Sequence, residues 1–121
     1  MTTKVTIMGT KYTIRIGVPP HKDTGLVNRF GYSNPAEQTI VIADLDFIEG
    51  WRDESAKAKQ KILNTTLRHE IIHVFLYESG LFGSSTGVDS WAMNEEMVDW
   101  IALQFPKILK VYQQLGCEGD I

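Results

Sequence analysis

The sequence predicts an α+β domain in which a small, mostly antiparallel N-terminal sheet of about four strands packs on about three helices. Three observations predict it. From Lys4 to Ala43 apolar residues recur largely at every second position, the period of half-buried strands. After Asp46 the apolar period lengthens to three and four residues, the period of helices that face a core. Finally, 121 residues with 43% hydrophobic and 22% charged side chains suffice for one core and not for two, so residues 1–121 read as a single domain, neither disordered nor fibrous.

The elements follow in order. Lys4-Val5-Thr6-Ile7 and Tyr12-Thr13-Ile14-Arg15-Ile16 alternate around Gly9-Thr10-Lys11 and predict a hairpin. Pro19-Pro20-His21-Lys22-Asp23-Thr24-Gly25 reads as a loop, because two prolines and a glycine neither extend a ladder nor start a helix. Leu26 to Tyr32 and Gln38 to Ala43 form a second expected strand pair across residues 33–37. The segment from Glu54 to Gln60 is rich in Ala, Lys and Glu, and Leu63, Leu67, Ile71, Val74 and Phe75 continue it at helical spacing, so one long helix is expected to end near Gly80. Gly83 to Gly87 reads as a loop. Asp89 or Ser90 can cap a second helix from about Trp91 to Gln104. Pro106 is expected in the first turn of a last helix that Gly116 ends.

Charge and composition exclude several classes of function. Twelve basic against fifteen acidic side chains give a net charge of −3, and without a Lys/Arg run phosphates find no electrostatic footprint, so nucleic acid is not an expected partner. A lone cysteine, Cys117, builds neither an internal disulfide nor a cysteine metal site, which suits a reducing, cytoplasmic compartment. The polar and apolar alternation of residues 1–8 is unlike a signal peptide, and no window reaches the length of a membrane span.

The chemistry centres on His69-Glu70-Ile71-Ile72-His73, the H-E-x-x-H pattern of zinc hydrolases, in the middle of the expected long helix. At about 100° per residue the two histidines point about 40° apart, one turn from each other, so both imidazoles can reach one ion. Glu70 lies beside that face, within reach of a metal-bound water without ligating the metal. The opposite stripe of Leu63, Leu67, Ile71 and Val74 anchors the same helix in the core. A catalytic zinc takes three protein ligands and keeps one position open. The only other histidine, His21, lies upstream, which excludes a third histidine downstream of the motif. Asn94-Glu95-Glu96-Met97-Val98-Asp99 follows instead. A carboxylate ligand at Glu95 puts Asp99 one turn on, where it can accept the free ring N–H of a ligating histidine. Glu96 competes with Glu95, but it lies 100° round the helix with no carboxylate four residues on.

This pair of motifs resembles the H-E-x-x-H and N-E-x-x-x-D segments of the gluzincin, or thermolysin-like, metallopeptidases. The resemblance covers about residues 38–106, and the compact length, the run Glu95 to Ala102 and the following Pro106 are more similar to the small ImmA/IrrE-type metallopeptidases of mobile elements and to minimal gluzincins. Val98 and Trp100-Ile101 match only loosely the E-A-N-x-F-A run of the ImmA/IrrE group. The resemblance implies a zincin-like fold, Zn²⁺ held by His69, His73 and Glu95, Glu70 as general base and Asp99 behind a ligand. It also implies a peptide or protein substrate, with a regulatory protein such as a transcriptional repressor as a plausible target.

A tetrahedral intermediate needs a further donor, for which Tyr77, His21 and Tyr32 are the candidates. Trp51, Trp91 and Trp100 line either a groove or the core, and Met93 and Met97 read as core. The expected function is a cytoplasmic zinc metalloendopeptidase that pairs an extended substrate with the strand Gln38 to Ile42. A catalytically inactive zinc-binding module for interaction or assembly in a phage or mobile element is the alternative, and hydrolysis of a non-peptide bond shares every residue.

Overall fold

The hairpin at the start of the chain turns on Met8 and Gly9, both at positive φ (49° and 86°), the two-residue geometry whose twist matches that of the flanking strands. The computed structural model describes residues 1–81, 94–115 and 117–119. Strand β1 spans Thr2–Ile7 and β2 Thr10–Val18, so Thr10 and Lys11 belong to the second strand rather than to the turn. Beyond β2, two short 3₁₀ turns at Pro20–Lys22 and Thr24–Leu26 fill the proline-rich loop. Strand β3 spans only Gly31–Asn34 and β4 spans Thr39–Ala43. The expected strand from Leu26 is therefore shorter. Leu26 is buried below the sheet as the end of a turn, and Asn28 takes a left-handed conformation at φ 58° that interrupts extended chain. Ser33 and Asn34, expected in the connection, are strand residues.

The sheet order is β1-β2-β4-β3. Two pairings are antiparallel, but β2 and β4 run parallel, so the sheet is mixed. Strand β4 inserts between its hairpin partner β3 and β2, and it is apolar throughout, with Ile40, Val41, Ile42 and Ala43 all buried. That is the composition of a strand covered on both faces. On one face Tyr12, Ile14, Ile40 and Ile42 form the main core with Val74. On the other, Leu26, Val41 and Ala43 form a smaller one under the 19–30 loop.

Helix α1 spans Ala56–Glu78, with the Ser55 hydroxyl accepting from the Ala58 N–H at 3.1 Å at its start and Gly80 at φ 88° just past its end. Leu63, Leu67 and Ile71 pack on the main core, as their spacing predicts, whereas Phe75, one position beyond Val74, turns off the stripe and is exposed. The Glu78 carboxylate accepts from the Thr10 hydroxyl at 2.6 Å and the Tyr12 hydroxyl at 2.7 Å, which fastens the helix end to β2. Gly31 lets β3 lie close under α1: a Cβ there would stand 2.9 Å from Thr66 Cγ2 and 3.0 Å from the Val41 carbonyl oxygen.

Helix α2 spans Glu95–Leu115 without interruption, with Pro106 in its interior. Two α-helices, not three, are present among the described residues, and Pro106 does not begin one. Proline removes one intrahelical donor and orphans the carbonyl four residues back, here that of Ala102, which is buried. The Arg68 Nε–H donates to that carbonyl at 2.8 Å, so the helix continues through its missing bond. The expected loop at 83–87, the caps Asp89 and Ser90, the start at Trp91 and the stop at Gly116 lie outside the described residues. No helix among the described residues is long and apolar enough to cross a membrane.

Replacing Arg68 by Met should therefore lower stability by about 1–3 kcal/mol, the cost of leaving a buried acceptor unmet. In a Pro106→Ala background, where residue 106 supplies its own N–H, the same replacement should cost clearly less; equal losses in both backgrounds, by urea unfolding, would refute the pairing. The hydroxyls of Thr10 and Tyr12 hold the Glu78 carboxyl below its ordinary value. A depressed folded-state pKa contributes stability above about pH 4.5 that is lost as pH falls through the lower value. Glu78→Gln should accordingly narrow the gap between the melting temperatures at pH 7 and pH 3.

Candidate metal centre

Helix α1 presents two working faces. Its apolar stripe is pressed on the sheet, and the adjoining face carries His69 and His73, whose side chains are 15% and 19% exposed. Their Nε2 atoms lie 3.1 Å apart. Helix α2 supplies the rest. The Asn94 side chain accepts from the Met97 N–H at 2.8 Å and caps the helix, which makes Glu95 its first residue and sets Asp99 one turn later. One Glu95 oxygen is 3.0 Å from His69 Nε2 and the other 3.0 Å from His73 Nε2. The Asp99 carboxylate is 2.8 Å from His69 Nδ1.

The chemistry of this donor set fits a divalent cation. With the Nδ1–H of His69 donating to Asp99, Nε2 of that ring carries a lone pair. It then faces a carboxylate and a second ring nitrogen at hydrogen-bond distance. Only shared protons or a cation relieve such crowding. Ligands 2.0–2.1 Å from a tetrahedral zinc stand about 3.3 Å apart, so the observed spacings need only a slight opening. The donor atoms of His69, His73 and Glu95 form a metal-holding group by proximity alone. Glu95 is 69% exposed, which leaves the solvent side open to a further ligand.

Glu70 is not in that group. Its side chain is only 7% exposed, and burial raises the carboxyl's pKa while the neighbouring histidines oppose the rise. A cleft of about 1000 Å³ runs over Glu70, the two histidines and Glu95, and β3 forms its far wall. Among the described residues strand β3 is an edge of the sheet. Because the Ala43 N–H donates to the Phe30 carbonyl at 2.7 Å, alternation along an antiparallel pair turns Tyr32 and Asn34 toward β4 and leaves the N–H and C=O groups of Gly31 and Ser33 on the free edge.

The structure thus brings His69, His73, Glu95 and Asp99 together, with Glu70 beside them, and leaves Glu96 exposed outside the cleft. Strand β4 is flanked by β2 and β3, so the expectation that residues 38–42 pair with a substrate is overturned; the edge strand that lines the cleft is β3. Tyr77 and Tyr32 line the cleft, but the Tyr32 hydroxyl donates to Asp23 at 2.8 Å. His21 packs edge-on against Phe47 at 5.6 Å, away from the site. Trp51 braces Phe30 at 5.7 Å, Trp100 is exposed, and Trp91 and Met93 lie outside the described residues. Ser33 and Arg68 were not legible as site residues, since a serine read as a turn and an arginine on a helix carry no local signal. No family model, curated protein or solved structure matches the chain.

Titrated with Zn²⁺, the chain is expected to bind about one ion, and His73→Ala and Glu95→Gln should each lose or greatly weaken it. Asp99→Asn should weaken binding by about 10- to 100-fold, the usual effect of removing a carboxylate behind a ligating histidine. Equilibrium dialysis with metal analysis checks all three.

Proposed function

We propose that the protein is a zinc-dependent metalloendopeptidase of the gluzincin type, similar to the ImmA/IrrE group and working in the cytosol on a peptide or protein substrate. The observation that carries the reading is the convergence of His69, His73 and Glu95 at 3.0–3.1 Å beside a buried glutamate and an unpaired strand edge. A purely structural zinc site needs neither an open side nor Glu70.

Zinc bound there would supply a Lewis acid and a water of lowered pKa. The remaining work belongs to the chain. Asp99 holds His69 in the tautomer that offers Nε2. Gly31 and Ser33 offer backbone groups to an extended peptide, which lies along β3 as an added strand. Glu70 takes a proton from the attacking water and passes it to the leaving amine, and its burial keeps its proton affinity suited to both steps. Tyr77, on the cleft wall one turn beyond His73, is the candidate donor to the developing oxyanion. A regulatory protein as the target follows from the family resemblance.

Glu70→Gln should retain zinc and lose hydrolysis of a casein or peptide-library substrate by at least about 10²-fold. A fully active variant would refute the role of Glu70. Zinc binding without hydrolysis by the wild-type chain on any such substrate would favour the inactive interaction module.

A further inference from the structure

The cleft is not electrically uniform along its length. Glu70, Glu95 and Asp99 gather around the metal-holding group, whereas Arg29, just before the chain enters β3, is the one lysine or arginine on its walls among the described residues. Among the described residues no carboxylate pairs with Arg29: Asp23 is taken by Arg15 and Asp46 by Lys59. Its backbone is fixed, since the N–H donates to the Leu26 carbonyl at 3.2 Å, and its side chain is exposed. Phe30, braced by Trp51, and Ile62 give that end of the cleft a half-buried apolar floor. A guanidinium beside an apolar floor is suited to a planar anion, because its fork of donors matches a carboxylate and its charge persists at every physiological pH.

The distance along the cleft follows from the chain itself. Ser33 and Glu70 both line the cleft, and Arg29 precedes Ser33 by four residues, two steps of which lie outside β3, so it stands no more than about 14 Å away along the chain. A peptide lying on the β3 edge advances by the rise of a strand. It therefore meets Arg29 up to about four residues from the residue beside Glu70.

We infer that the Arg29 end of the cleft is a specificity subsite for a carboxylate, so that the protein selects peptides with an acidic group about four residues from the bond presented to Glu70. The inference rests on the cleft being a peptide site. Two sources offer this chemistry, an Asp or Glu side chain and a free chain terminus.

The test uses zinc-loaded Glu70→Gln protein, which should bind peptides without consuming them, and fluorescence anisotropy of labelled ten-residue peptides. One set is amidated and carries Glu or Lys four residues to either side of the centre; a second is neutral and ends in a free or an amidated C-terminus at the same spacing. Glu peptides, free-terminus peptides or both should bind about three- to tenfold more tightly than their Lys or amidated counterparts. Which set responds tells the two sources apart. Adding Arg29→Glu should reverse the preference, and Arg29→Lys should keep part of it. No preference, a preference indifferent to Arg29→Glu, or no binding of any peptide would overturn the subsite. Hydrolysis by the wild-type chain is scored separately. Cleavage without a charge preference leaves the peptidase and removes the subsite, while a reversible acidic preference without cleavage does the opposite.

Discussion

The register of α2 against α1 is the constraint on which the rest of the structure depends. A slip of one residue moves a helical side chain 1.5 Å along the axis and turns it by 100°, enough to take Glu95 out of reach of both imidazoles. Three contacts of different kinds hold that register. Val98 and Ala102 are buried at 0% and 1% exposure, Arg68 grips the Ala102 carbonyl, and Asp99 meets His69. Arg68 and His69 are neighbours in sequence, so one turn of α1 sets both the mechanical and the chemical alignment of α2.

The sheet sets the second coordinate of the site. Its main face anchors α1 through Val74 and the stripe around it, and the Glu78 carboxylate fastens the end of the helix to Thr10 and Tyr12. Tyr12 is fully buried, and burial together with that carboxylate holds its phenol neutral. With α1 fixed at its far end, the missing side chain of Gly31 allows β3 to approach the helix. Ser33 and Glu70 then line the same cleft, and the backbone edge of β3, unpaired among the described residues, lies alongside the histidines. A wider gap would separate Glu70 from the free backbone groups of β3.

Much of this was legible in the sequence, for physical reasons that differ from element to element. Periodicity located α1 and its apolar stripe because one helix had to satisfy a core and a donor face at fixed angular offsets. The spacing of Glu95 and Asp99 carried over because a helix makes geometry local. Sheet topology is not local: nothing within residues 38–43 tells whether their neighbour is β3 alone or β2 as well, although the unbroken run Ile40 to Ala43 hints at a strand covered on both faces. Pro106 misled for the same reason. Its usual effect is decided within one helix, but the donor that offsets its missing N–H comes from Arg68, 38 positions away.

The free edge of β3 has a consequence for the protein in concentrated solution. An unpaired strand edge is a template for any extended chain, including another copy of the same molecule. Here that template is four residues long, closed by Pro35 at one end and flanked by the charge of Arg29 at the other. Two such edges meeting would gain few ladder bonds and would bring like charges or prolines into the pairing. The edge is thus too short to seed a continuous sheet of its own.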